Sequence, residues 1–150
     1  MTTLRPILLV EDSAADIELT LVALKRAGST REIVAVRDGV EALDYIFSEA
    51  GYAGRSPGPP AVILLDLKLP KINGLEVLER IKRDPIHRDI PIVMLTSSRQ
   101  TSDIARSYRS GVNSYVVKLS STSRWISQHL HKLFAKSPRT GLRSMNRARR

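Results

Sequence analysis

Cysteine is absent from this 150-residue chain, and long apolar runs are absent as well. Without cysteine the chain can form no disulfide, no thiolate nucleophile and no thiolate zinc site. No stretch approaches the roughly 18 to 20 consecutive apolar residues of a membrane span, and the first residues, Met-Thr-Thr-Leu-Arg-Pro, lack the apolar run of a secretory signal. We therefore expect a cytoplasmic protein.

Charge is distributed unevenly along the chain. The formal net charge is +9, and residues 136–150 contain six Lys or Arg and no acid, so nine minus six leaves +3 for the rest. The length fits one domain of about 100 to 150 residues. We predict a folded domain over residues 1–135 and a basic, solvated and disordered tail over 136–150. The alternative, an arm for nucleic acid, acidic protein or membrane, lacks aromatic residues for base stacking.

Short apolar runs alternate with helical patterns along the first 135 residues. Runs such as 6–10 are continuously apolar, which is typical of strands buried on both faces of a parallel sheet. The predicted strands are 6–10, 33–36, 61–65, 90–95 and 114–117. Because parallel neighbours need crossover connections, five strands alternating with five helices predict an α/β doubly wound sheet.

Five helices are indicated by apolar residues three and four positions apart. The first begins at a capping-box pattern, Ser13 with Asp16, and stops before Gly28. The others are predicted over 39–49, around Leu75, Leu78 and Ile81, over 102–110, and around Ile126, Leu130, Leu133 and Phe134. Before the third strand, residues 51–60 contain six Gly or Pro in ten positions and predict a long exposed loop.

Acidic, hydroxyl and basic residues follow the predicted strands. Glu11 and Asp12 follow the first strand and Asp66 the third, and the ends of these strands are neighbours in such a sheet. Clustered carboxylates repel unless a cation neutralises them, and their hard oxygens suit Mg²⁺. Thr96 and Lys118 follow the fourth and fifth strands and could hold phosphoryl oxygens. The set matches phosphoryl transfer, with Asp66 as the natural acceptor.

Four segments, taken in order, resemble the landmarks of response-regulator receivers of two-component systems. They are Leu-Leu-Val-Glu-Asp, Leu-Leu-Asp-Leu-Lys-Leu-Pro-Lys-Ile-Asn-Gly, Met-Leu-Thr-Ser and Tyr-Val-Val-Lys, and the resemblance covers residues 5 to about 135. It implies a flavodoxin-like sheet of strand order 2-1-3-4-5 with five helices. It also implies a single-domain phosphorelay switch, not an enzyme, that accepts a phosphoryl group on Asp66 from a histidine kinase.

The resemblance also implies residue roles. Mg²⁺ would be bound by Glu11 and Asp12, with help from Asp66 and the main-chain carbonyl of Lys68. Thr96 and Lys118 would grip the phosphoryl group, and the switch would consist of a shift of Thr96 and an inward rotation of Tyr115.

One landmark departs from the family's pattern, because Leu119 stands where a proline usually follows the lysine. A cis bond before a non-proline residue costs about 2.5 to 4 kcal/mol, so we expect a trans Lys118–Leu119 bond.

The 51–60 loop and the segment ending in Asn73-Gly74 resemble regulators paired with bacterial or cyanobacterial phytochrome kinases, which makes a bacteriophytochrome the expected partner. The apolar face of the last predicted helix is wider than packing against one face of the sheet requires. We therefore expect a homodimer contact at Trp125, Ile126 and Leu130.

Other functions fit the sequence less well. A haloacid-dehalogenase-type phosphatase needs a second acid two residues after its aspartate, where this chain has Lys68. A nucleotide or flavin module needs a glycine-rich loop after the first strand, where this chain has Glu-Asp-Ser-Ala. A phytochrome-independent phosphorelay intermediate and a DNA-associated regulator using the basic tail remain open.

Overall fold

A computed structural model describes residues 4–55, 58–118, 124, 126, 128 and 129. Its described part contains a parallel sheet of five strands in the order β2-β1-β3-β4-β5. The strands are β1 Ile7–Val10, β2 Ile33–Val36, β3 Val62–Leu65, β4 Ile92–Thr96 and β5 Ser114–Val117. The predicted doubly wound α/β architecture and the strand order are confirmed.

Four α-helices lie within the described residues. They are α1 Ala14–Arg26, α2 Gly39–Ile46, α3 Gly74–Arg83 and α4 Thr101–Arg109, and a short 3-10 helix spans Ala50–Tyr52. The fifth predicted helix falls mostly outside the described part, in which Arg124, Ile126, Gln128 and His129 are helical. None of the helices in the described ranges is long and apolar enough to cross a membrane. Leu119, Trp125, Leu130 and the 136–150 tail lie outside the described residues.

Two boundaries of helices and strands differ from the predicted ones because of backbone conformation or a missing backbone N–H. The second helix was predicted to reach Glu49 but ends at Ile46, because Ser48 adopts a left-handed φ of 55° that cannot continue a right-handed helix. The fourth strand was predicted from Ile90 but begins at Ile92, after Pro91, which has no N–H for the sheet.

The three central strands are buried along their whole length. Alternate residues of β1 and β3 face opposite layers of the core, as period-two side chains require. One layer packs β1, β3 and β4 against α2 and α3, and the other packs them against α1 and Ile126. The sheet is therefore packed on both faces.

Each of the first three helices carries a side-chain N-cap, and α1 and α2 start within four residues of a strand end. Ser13, Asp38 and Asn73 accept the backbone N–H of the third helical residue of α1, α2 and α3. Such caps stabilise a helix by about 1 kcal/mol. They also fix the loops at the carboxyl ends of β1, β2 and β3.

The predicted loop over residues 51–60 is exposed only in part. The Arg55 side chain donates to the carbonyl oxygens of Tyr45, at 2.7 Å, and Gly58, at 3.1 Å. Its guanidinium lies 4.3 Å from the centre of the Tyr45 ring, and Tyr52 packs edge-on against the same ring at 5.2 Å. The described part of this α2–β3 segment is thus held against α2, a contact that its Gly and Pro content did not indicate.

Candidate functional site

Three carboxylates meet at the carboxyl ends of the neighbouring strands β1 and β3. One oxygen of each of Glu11, Asp12 and Asp66 lies within 4.8 Å of the others. Glu11 and Asp66 are only 3% and 7% exposed, whereas Asp12 is exposed. Their hard oxygen donors fit a divalent cation such as Mg²⁺, which prefers a few carboxylates and open positions for water or phosphate.

The backbone holds two of these acids in register. The N–H of Asp66 donates to the carbonyl of Val10 at 3.0 Å, and the N–H of Glu11 donates to the carbonyl of Val36 at 3.0 Å. The parallel hydrogen-bond ladders thus continue one residue past the strands, so the two carboxylates project from sheet backbone and not from a free loop.

Lys118 reaches this cluster from the far edge of the sheet. Its ammonium contacts a carboxylate oxygen of Glu11 and lies 3.2 Å from Asp66 Oδ2. Its backbone N–H donates to the carbonyl of Thr96 at 2.7 Å, which fixes the start of the side chain. Burial lowers the pKa of Lys118, but the hydrogen bond to Glu11 and the charge of Asp66 outweigh it and raise the pKa to about 12. The site therefore holds a charged ammonium at neutral pH.

Glu11 is the most desolvated acid of the cluster. Burial raises its pKa to about 7, because desolvation outweighs the hydrogen bonds from Lys118 and from the Ser13 N–H. The nearby Asp66 carboxylate adds to this rise. A bound divalent cation would favour the ionised form of Glu11, which is the behaviour expected of a metal ligand.

Asp16 is a fourth acid of the site that the sequence analysis missed. The predicted capping box is only half formed, because the Asp16 N–H donates to Ser13 Oγ at 3.3 Å while the Ser13 N–H donates to Glu11 Oε1 at 3.1 Å. The Asp16 carboxylate lies instead 3.1 Å from the Lys118 ammonium. Its position one turn into α1, over the end of β1, was the available signal.

Thr96 and Tyr115 are joined through one loop residue. Thr96 ends β4, is fully buried, and its hydroxyl accepts the Ser98 N–H at 3.3 Å. The Tyr115 hydroxyl donates to the carbonyl of Ser98 at 2.9 Å, and the half-buried ring packs against the core. Burial raises the pKa of Tyr115, so the phenol stays protonated and can donate. Ser98, which the sequence analysis did not single out, therefore connects the two predicted switch residues.

A glycine allows α3 to start directly against the backbone of Asp66. A Cβ on Gly74 would lie 2.1 Å from the Asp66 carbonyl oxygen, and the Gly74 N–H donates to Leu67 at 2.7 Å. The loop between them carries Lys68, whose side chain is exposed. The predicted role of the Lys68 carbonyl in metal binding stays a prediction.

Ile126 does not offer a surface for a second copy of the chain. It is fully buried and packs in the same core layer as Ile7 and Leu9 of β1. The expectation that this side chain makes a dimer contact is therefore wrong, because the chain's own sheet covers it. The other two expected contacts, Trp125 and Leu130, fall outside the described residues.

Residues 7–129 match the model of the response regulator receiver domain family. The chain belongs to this family. Among curated relatives, the receiver is 44% identical to response regulator Rcp1 of Synechocystis over 112 residues, and these residues make up 75% of each chain. It is 48% identical over 112 residues to the protein named "Probable methanogenesis regulatory protein FilR2" of Methanothrix harundinacea, which covers 75% of this chain and 70% of the relative.

Solved structures of phytochrome-associated regulators share its fold. Bacteriophytochrome response regulator RtBRR matches with a TM-score of 0.77 and 45% identity, covering 97% of this chain and 91% of the other. The phosphorylated cyanobacterial phytochrome response regulator RcpA matches with a TM-score of 0.78 and 43% identity, covering 89% and 96%. The Mn²⁺-bound form of Rcp1 matches with a TM-score of 0.72 and 40% identity, covering 87% of each chain. The receiver is thus homologous to single-domain phytochrome response regulators and has a fold used for phosphorylation-dependent signalling.

Proposed function

We propose that this receiver accepts a phosphoryl group on Asp66 from the phosphohistidine of a partner kinase. The observation that carries the proposal is the position of the Asp66 carboxylate, 3.2 Å from the Lys118 ammonium and grouped with the oxygens of Glu11 and Asp12. A carboxylate oxygen attacks phosphorus in line, the bond from phosphorus to the imidazole nitrogen breaks, and its electron pair returns to the ring. Charge neutralisation and positioning supply most of the catalysis in such a transfer.

Mg²⁺ is the proposed metal, held by Glu11, Asp12, Asp66 and the main-chain carbonyl of Lys68. The all-oxygen donor set and the Mn²⁺-bound form of the homologous Rcp1 support a divalent cation here. When bound, the ion supplies positive charge opposite the phosphoryl oxygens. Around it, Glu11 and Asp66 hold fixed positions on sheet backbone, and Lys118 provides a second positive charge.

We propose that Thr96 and Lys118 hold the phosphoryl oxygens and that Tyr115 changes its orientation on phosphorylation. A shift of the Thr96 hydroxyl toward phosphate would move the Ser98 backbone that it contacts and would release the Tyr115 hydroxyl, letting the ring turn inward. Such a switch is a population shift worth a few kcal/mol. Self-assisted hydrolysis of the acyl phosphate at the same site would reset it.

A bacteriophytochrome-type histidine kinase in the cytoplasm is the proposed partner, on the strength of the similarity to RtBRR and RcpA. The 48% identity to FilR2, whose name does not refer to a phytochrome, supports a second candidate, a phosphorelay that does not involve a phytochrome. A phosphotransfer assay against purified kinases of both types separates them, because the cognate kinase transfers its label fastest.

The receiver is also proposed to form a homodimer. Light scattering at micromolar concentration, with and without phosphorylation, should give about twice the monomer mass. The monomer mass under both conditions would contradict this part of the proposal.

The acceptor is tested with acetyl phosphate, Mg²⁺ and intact-protein mass spectrometry. The unchanged chain should gain the mass of one phosphoryl group, and Asp66→Asn should gain none. Asp89→Asn, the same substitution at an exposed acid in the loop before β4, should gain the group as the unchanged chain does. Equal labelling of Asp66→Asn would refute the assignment.

A further inference from the structure

Arg37 contacts the site from the edge strand opposite to the one that carries Lys118. It follows β2, and its guanidinium donates to the main-chain carbonyl oxygen of Asp12 at 2.8 Å. Asp12 is the one exposed acid among the three clustered carboxylates, so burial restrains it least. The Arg37 side chain supplies a restraint on its backbone that core packing does not provide.

Arg37 is itself held by a chain of polar contacts. Its backbone N–H donates to Glu41 Oε2 at 3.1 Å, and the other oxygen of Glu41 accepts the Tyr52 hydroxyl at 2.8 Å. The Glu41 N–H donates to the N-cap side chain of Asp38 at 2.7 Å, which fixes the start of α2. A continuous path of hydrogen bonds therefore runs from Tyr52, in the α2–β3 segment, to the Asp12 backbone.

We propose that Arg37 is a positioning residue of the metal site, kept in place by Glu41 and Tyr52. By fixing the Asp12 carbonyl, Arg37 fixes the backbone from which the Asp12 carboxylate projects. The Asp12 carboxylate therefore does not have to be ordered when a cation binds. Groups that orient metal ligands in this way commonly change metal affinity when they are removed. The inference rests on the proposed function, since it presupposes that the three acids bind a divalent ion.

Loss of the Arg37 charge and loss of its positioning role should change Mg²⁺ affinity in opposite directions, which makes the inference testable. The guanidinium is a positive charge beside a cation site, so removing charge alone should tighten Mg²⁺ binding. If Arg37 orients Asp12, its loss should weaken Mg²⁺ binding instead. The sign of the change decides between the two effects.

Isothermal titration of the full-length chain with Mg²⁺ provides the measurement. We expect Arg37→Gln to weaken Mg²⁺ binding about tenfold, which is the lower end of the range of affinity losses seen when groups that support metal ligands are removed. Tyr52→Phe leaves the charge unchanged and should weaken binding about threefold, the equivalent of one lost hydrogen bond. Arg80→Gln, which removes an exposed arginine paired with Glu76 on α3, is the matched charge control and should bind at least as tightly as the unchanged chain.

The outcomes separate this inference from the proposed function. Unchanged or tighter Mg²⁺ binding by both Arg37→Gln and Tyr52→Phe, with the unchanged chain binding normally, overturns the positioning role alone. Absence of Mg²⁺ binding by the unchanged chain overturns the metal site and this inference together. Circular dichroism of each variant without Mg²⁺ checks its fold, and Tyr52→Phe, which removes one oxygen atom, carries the test if Arg37→Gln does not fold.

Discussion

The central and edge strands of the sheet contribute different chemical groups to the same site. The central strands β1, β3 and β4 are buried throughout and are followed by or end in Glu11, Asp66 and Thr96. The edge strands β2 and β5 are largely half-buried and are followed by the long cationic side chains of Arg37 and Lys118. Short acidic and hydroxyl groups come from the centre, and the cations reach in from the edges.

This difference follows from how each group is held. A short side chain on a strand buried on both faces is fixed by the sheet itself, which suits a nucleophile and a metal ligand that must keep one geometry. A long side chain from an edge strand reaches its partners by its own length and can adjust as charge at the site changes. We therefore expect substitutions of the buried apolar residues of the central strands to affect mainly stability, and substitutions of the long cationic residues that follow the edge strands to affect mainly chemistry.

The largest expected effect is on stability, at the centre of the sheet. Ile63 on β3 is fully buried, so Ile63→Ala should lower the free energy of unfolding by about 2 to 5 kcal/mol. Val116 on β5 is only partly buried, and Val116→Ala should lower it by roughly 1 kcal/mol. Urea unfolding followed by circular dichroism measures both, and similar losses would remove the distinction between centre and edge.

Substitutions of Lys118 test whether a cation from an edge strand acts in phosphoryl transfer. Lys118→Met removes the ammonium that contacts Glu11, Asp16 and Asp66, and should slow phosphorylation by acetyl phosphate about 100-fold, the scale for loss of one charge-stabilising donor. Lys118→Arg keeps the charge and should recover part of the rate. Lys25→Met, at an exposed position of α1, should leave the rate unchanged. A Lys118→Met rate equal to that of the unchanged chain would contradict a role for the edge cation in the transfer.

The sequence predicted the strands and their order better than it predicted the side-chain contacts around the site. The five strands, their order and the grouping of Glu11, Asp12 and Asp66 follow from apolar runs and from the rule that parallel strands present their carboxyl ends at one edge. Ile33–Val36 and Ser114–Val117 match the predicted bounds without change. These features depend on local patterns and topology, which can be read without knowing where any side chain points.

What the sequence did not predict depends on side-chain direction and loop path. Asp16 was interpreted as half of a capping box, but its carboxylate contacts Lys118, 102 residues away in the chain. Arg37 bonds to a backbone carbonyl 25 residues away, and Gly74 is needed only because α3 starts against the Asp66 backbone. Each of these contacts is tertiary. The position of Asp16 in α1 places it near the site, but spacing along the chain does not identify the partner of any of these residues.

The smallest expected effect concerns the hydrogen bond by which the edge strand β5 is connected to the loop after Thr96. Tyr115→Phe keeps the ring in the core and removes the hydroxyl that donates to Ser98, so the unphosphorylated chain should lose about 0.5 to 1.5 kcal/mol of unfolding free energy. Tyr108→Phe is the matched control, because its exposed hydroxyl accepts only a longer bond of 3.3 Å from the Tyr115 N–H, and its loss should be smaller.

Urea unfolding of both variants, side by side, gives the difference directly. If the Tyr115 hydroxyl restrains the resting position of the ring, Tyr115→Phe should also change the tyrosine fluorescence or NMR signals toward those of the phosphorylated chain before any phosphate is added, and Tyr108→Phe should not. Equal stability of Tyr115→Phe and the unchanged chain would mean that packing alone holds the ring. The edge strand would then be connected to the site through Lys118 and not through this hydrogen bond.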